Sequence, residues 1–135
     1  MRNCNTIILI AFAFLTSFKS STAQEAIGES KSAIIAQLTK STFKIIKNTD
    51  EKIMAEFPDP KMYYEYYFEN NICYRYEGLI PESERAYYVA EMKRNGWIKS
   101  YTDGNKESYT RGKFGLKIIT LTNGIGFFKF QIDKL

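Results

Sequence analysis

The chain has no histidine, which excludes the Ser-His-Asp and Cys-His catalytic arrangements and removes the commonest ligand of zinc sites. Cysteine is nearly as scarce. Cys4 lies at the extreme N-terminus, ahead of an apolar run, so Cys73 stands alone in the rest of the chain and no intramolecular disulfide is expected there. The longest apolar run, Ile7–Leu15, spans only about nine residues, against the roughly 18 or more that a transmembrane helix needs. Charge of one sign never accumulates either. Glu82, Glu84, Arg85, Glu91, Lys93 and Arg94 interleave the two signs, leaving no basic stripe to track phosphates, so nucleic acid is not an expected partner. Gly112, Gly115, Gly124 and Gly126 flank strands instead of opening a helix, and read as turns and bulges with no phosphate cradle.

Carboxylates are the one catalytic resource left. Glu65 and Glu69 share a strand face, and Asp50, Glu51, Asp59, Glu82 and Glu84 lie in turns, so glycoside hydrolysis stays formally open. Acidic residues on wet faces and in turns are ordinary, however. The expectation is a protein that is not an enzyme, with no catalytic residue, no metal and no cofactor.

What is present begins with a leader. Arg2, the Ile7–Leu15 run and the small residues Ser21-Thr22-Ala23 read as a secretory signal peptide over residues 1–23, with the mature chain starting near Gln24. The expected location is periplasmic or secreted. Cys4 precedes the apolar run, where it cannot carry a lipid, so no membrane anchor is expected after cleavage. About 112 residues remain, suited to one domain over 24–135. Loss of Arg2 and Lys19 lowers the formal charge from +4 to +2, so the basic balance is partly the leader's.

The remainder is organised around Met62–Ile80, two runs of aromatic and β-branched residues joined by Asn70-Asn71, which predicts a β-hairpin. A related pattern, Leu116–Ile132 around Asn123-Gly124, predicts a second. Ahead of the first hairpin, Gly28–Lys40 predicts an amphipathic helix capped by Ser30, followed by weak strands over Ser41–Lys47 and Lys52–Phe57 and a corner at Pro58-Asp59-Pro60. Ahead of the second, Pro81 opens a helix that Asn95-Gly96 ends, and two more weak strands follow over Trp97–Thr102 and Lys106–Arg111. Ala36 and Ala90, Leu38 and Met92, and Phe43 and Trp97 are each 54 apart. The expected fold is therefore α+β: two tandem helix-plus-antiparallel-sheet units, an internal repeat over about 28–80 and 81–135, each a helix followed by about four strands.

Counting outward from each hairpin tip assigns faces. In the closing hairpin Ile119, Leu121, Phe128, Phe130 and Ile132 fall together as core. In the opening one Tyr64, Tyr66, Phe68, Cys73 and Arg75 form one set, and Tyr63, Glu65, Tyr67, Glu69, Ile72, Tyr74 and Tyr76 the other. The tyrosine-rich set is the candidate binding face, because tyrosine offers a large contact area with a polar tip and little rotamer entropy to lose. Its alternatives are ordinary strand chemistry, since cross-strand aromatic pairs stabilise sheets, or coverage by the N-terminal segment or a second copy. Cys73 reads as a small buried hydrophobe, with an intermolecular disulfide or a reactive thiol as the functional alternative.

The two-unit layout resembles the tandem-repeat architecture of β-lactamase inhibitor proteins and of small outer-membrane assembly lipoproteins. That resemblance, at the level of fold alone, implies protein binding through a sheet face. The chain departs from the former in having no pair of disulfides and from the latter in lacking a lipid-bearing cysteine. The expected function is thus an exported binding module that recognises a protein partner through Tyr63, Tyr67, Tyr74, Tyr76 and Glu65. The alternative is a small molecule or glycan at the seam between the units, where Trp97 and Phe43 line a cleft. Self-association through Cys73 or the edge strands comes third.

Overall fold

A computed structural model of the chain describes residues 26–122 and 126–135. The expected leader over 1–23 and the Asn123-Gly124 tip lie outside the described residues. The order of elements is α1 (Lys31–Lys40), β1 (Lys44–Asn48), β2 (Lys52–Pro58), β3 (Lys61–Glu69), β4 (Ile72–Pro81), a 3-10 turn (Glu82–Glu84), α2 (Arg85–Arg94), β5 (Ile98–Asp103), β6 (Lys106–Arg111), β7 (Phe114–Thr120) and β8 (Phe127–Lys134).

Local chemistry explains most of these boundaries. Ser30 caps α1 by accepting a hydrogen bond from the Ala33 amide at 3.2 Å, and Asn95 and Gly96 end α2, with Gly96 at φ +89°. Asn70 and Asn71 both take positive φ, 51° and 63°, as the two central residues of a tight β3–β4 turn require. Pro58 and Pro60 bracket the β2–β3 corner, where neither is asked for an amide in a central ladder.

The eight strands form one antiparallel sheet in the order β1-β2-β3-β4-β8-β7-β6-β5. This overturns the expectation of an α+β fold made of two helix-plus-sheet units, and the internal repeat with it. The strands do not close into two small sheets, and the fold is sheet-dominated with two ten-residue helices. The decisive contact is β4 with β8, which pair from Arg75↔Asp133 to Pro81↔Phe127. Had the two groups of strands stayed apart, β4 and β8 would each have been an edge with unpaired backbone donors and acceptors. Pairing them satisfies those groups and merges the two expected cores into one. The likeness to tandem-repeat proteins goes with the units it was drawn from.

Both helices serve that single core. Ile34 and Leu38 of α1 and Tyr88 and Met92 of α2 belong to one buried cluster with Ile53, Tyr64, Tyr66, Tyr76, Phe128 and Phe130. Phe130 is near its middle, with ring centroids 6.0 Å from Tyr64, 5.3 Å from Tyr76 and 5.2 Å from Tyr88. Directly across the β4–β8 ladder is Gly78. A Cβ there would lie 2.0 Å from the Phe130 ring, so only glycine lets that ring cross the seam.

Face assignments differ from the sequence count in both hairpins, each time by one residue. In β3–β4 a bulge at Tyr74 intervenes between the pairs Tyr67↔Arg75 and Phe68↔Cys73. Beyond it the strand's parity reverses. Tyr76, expected beside Tyr63, is buried at 1% exposure opposite Tyr66, and Arg75, expected in the core set, is on the opposite face. In β7–β8 the register places Ile118 across from Phe130, so Leu116 and Ile118 join the core, while Ile119 faces away with Lys129 and Leu121 lies beyond the strand.

Candidate functional site on the open sheet face

Because α1 and α2 both pack on one side, the other side of the sheet carries no helix among the described residues. Strand alternation places Tyr63, Glu65 and Tyr67 of β3 there, next to Lys52, Met54 and Glu56 of β2. From the other neighbour come Arg75, Glu77 and Leu79 of β4, followed by Lys129, Gln131 and Asp133 of β8.

Glu65 and Glu77 are directly paired across β3 and β4. Like charges in that position repel, and the structure offsets this from both sides. Lys52 approaches Glu65 at 3.4 Å, and Lys129 approaches Glu77 at 3.1 Å. The Tyr67 hydroxyl lies between the carboxylates, donating to Glu65, with Glu77 Oε2 at 3.3 Å. Burial, together with the two carboxylates, raises the Tyr67 phenol well above its ordinary value, so it remains a donor throughout the physiological range. Arg75 extends the network by bonding Asp133 at 2.7 Å.

Beside this network is a shallow depression of about 240 Å³ lined by the apolar Met54, Tyr63 and Leu79 together with Glu65, Glu77 and Lys129. Glu77 is the most buried of its charged lining, 7% exposed. Both carboxylates of the depression are committed to lysines of the protein itself, an arrangement suited to shaping a surface. Among the described residues no group of three or more histidine, cysteine or acidic side chains could hold a metal ion.

The expected binding residues are thus divided. The structure brings Tyr63, Glu65 and Tyr67 together on the open face, and Tyr74 stands exposed in the bulge with its ring 6.4 Å from that of Tyr67. Tyr76 is in the core. So is Trp97, 3% exposed with the Arg111 guanidinium 4.9 Å over its ring, and Phe43 packs on Phe57 and Tyr64. Neither offers a ring to a cleft at the seam. Cys73 is also buried, its Sγ against the Arg75 carbonyl at 3.3 Å, and burial pushes the thiol up to about 12. Sequence reasoning missed Glu77, Leu79 and Lys129. The alternation of β4 could have supplied Glu77 and Leu79 had the bulge been known, whereas Lys129 depends on the β4–β8 pairing.

Neither a family model, nor a curated protein, nor a solved structure matches the chain. No helix among the described residues is long and apolar enough to cross a membrane.

Proposed function

We propose that the chain is an exported, non-catalytic binding module that recognises a protein partner through the open face of its sheet. The observation that carries this is the depression in which the half-buried Met54, Tyr63 and Leu79 lie beside the paired charges of Glu65, Glu77 and Lys129, on a face to which neither helix contributes cover. Interfaces concentrate their energy in such places, where an anchor side chain is desolvated at the centre and polar groups surround it. Tyrosine and methionine suit the role, the one rigid and amphipathic, the other adaptable.

The test is capture by immobilised chain from the native envelope and culture medium, with Tyr63→Ser/Leu79→Ser as the variant and Ile98→Ser as a control at the far edge of the sheet. The expected outcome is a protein retained by the wild type and the edge control and lost by the double variant. Hydrogen exchange on the recovered complex should then show slowed amides in β3 and β4. Equal retention by all three baits would remove the sheet face from consideration.

A further inference from the structure

At the corner where the β3–β4 hairpin meets the β1–β2 turn is a second cavity, about 470 Å³, between two phenol rings and two carboxylates. Tyr67 and Tyr74 present their rings at 54° to each other, and Glu51 and Glu69 flank them. The carboxylates of β2, β3, β4 and β8 on this side of the sheet, Glu56, Glu65, Glu77 and Asp133, each have a basic partner. Glu51 and Glu69 do not, since no cation pairs with either among the described residues.

The aromatic rings of this corner already attract ammonium groups. Lys52, directly across from Tyr67 on β2, places its Nζ 5.5 Å from that ring's centroid, and Lys31 places its Nζ 5.8 Å from Phe68. Both are committed, Lys52 to Glu65 and Lys31 to the Thr49 carbonyl. Tyr74 comes from the β4 side, the flank of Tyr67 away from Lys52. On that flank Arg75, directly across from Tyr67, is committed to Asp133, so the space between the Tyr67 and Tyr74 rings, with Glu69 further along β3 and Glu51 on the β2 side, remains for a cation from elsewhere.

We infer that this corner receives a lysine or arginine side chain of the protein partner. The inference rests on the open-face reading and adds the chemistry of the ligand. Charge complementarity selects against phosphate and acidic surfaces, because an anion would meet Glu51 and Glu69. Geometry adds a spacing. Tyr63 and Tyr67 are four residues apart on one strand face, roughly 13 Å at the rise of an extended chain. An extended partner segment that seats an apolar side chain over Tyr63 therefore reaches the corner with the side chain four positions along.

The test is an NMR titration of the intact chain with a capped pentapeptide carrying leucine first and arginine last, beside a control with glutamine in place of arginine. The arginine peptide should shift Tyr63, Tyr67, Glu69 and Tyr74 saturably below about 10 mM, and the control should bind about fivefold more weakly or worse. Tyr74→Ser should weaken the arginine peptide by about fivefold and Glu51→Gln and Glu69→Gln by about threefold each, with Tyr74→Phe binding like the wild type. Equal binding of the two peptides, indifference to Tyr74→Ser, or no shifts at all would overturn the inference. The captured partner separates the two levels. If it is lost by Tyr63→Ser/Leu79→Ser but held undiminished by Tyr74→Ser and Glu69→Gln, the cation corner falls and the sheet face stands.

Discussion

The two faces of the sheet use tyrosine in opposite ways. On the covered face Tyr64, Tyr66 and Tyr76, with Tyr88 of α2 packed over them, are no more than 1% exposed and stack on one another and on Phe130. On the open face Tyr63 and Tyr67 are half-buried among lysines and carboxylates, and Tyr74 is 45% exposed. The residue is the same and β3 alternates it in consecutive positions, Tyr63 out, Tyr64 in, Tyr66 in, Tyr67 out. What differs is the partner that strand pairing brings to each ring. An aromatic-rich strand therefore says little about function until parity is known, and parity here turns on a single bulge.

The sharpest way to break the contrast is alkali. Burial raises the phenols of Tyr64, Tyr66, Tyr76 and Tyr88 above the ordinary value of 10.0, so the folded state disfavours their ionised forms. Because these folded values are raised, the stability they confer is fully present below pH 10 and is lost as pH climbs above it. Each group removes about 1.4 kcal/mol per pH unit, or about 5 kcal/mol per unit for the four together. Phenolate absorbance and far-UV circular dichroism should accordingly change together in one steep step above pH 10. Gradual ionisation of all ten tyrosines without unfolding would contradict the burial.

Next in size is Phe130→Ala, which empties the centre of the covered face and should cost about 3–5 kcal/mol in urea unfolding. Gly78→Ala attacks the same seam from β4 by forcing a methyl group into the Phe130 ring, with an expected loss of about 1–3 kcal/mol. A Phe130→Leu background, with its narrower side chain, should recover part of that loss. On the open face Leu79→Ala should cost only about 1 kcal/mol, because its side chain is half-exposed before the change. An unfolding midpoint that moved as far for Leu79→Ala as for Phe130→Ala would abolish the distinction between the faces. Smallest is Asn71→Gly, which eases the positive φ at the β3–β4 turn and should stabilise by about 0.5 kcal/mol without altering either face.

The features legible in the sequence are those whose causes are local. Ser30 as a cap, Asn70-Asn71 as a hairpin tip, Pro58-Asp59-Pro60 as a corner and Asn95-Gly96 as a helix end each rest on backbone preferences of a few adjacent residues, and each element formed close to where those residues put it. The bulge at Tyr74 has no comparable signal, because Cys-Tyr-Arg in a strand pairs as readily without an extra residue as with one. Its omission carried Tyr76 to the wrong face and left Arg75 in the core. The β4–β8 pairing was hidden for another reason. Which strand ends meet across the molecule is decided by burial of a shared core and satisfaction of edges, and Arg75↔Asp133 are 58 residues apart. The candidate site was half visible for the same reasons: Tyr63, Glu65 and Tyr67 follow from alternation on one strand, whereas Leu79, Glu77 and Lys129 arrive by the bulge and the distant pairing.

The place of β8 between β4 and β7 has a consequence for biosynthesis. A ribosome releases this strand after all seven others, yet it supplies Phe128, Phe130 and Ile132 to the core and the central rung of the ladder. The nascent chain accordingly cannot finish its hydrophobic centre until the segment after Gly126 has emerged, and the hairpins made earlier wait as unjoined halves. Completion is deferred until β8 has emerged, and the strands made before it lack their shared centre until then.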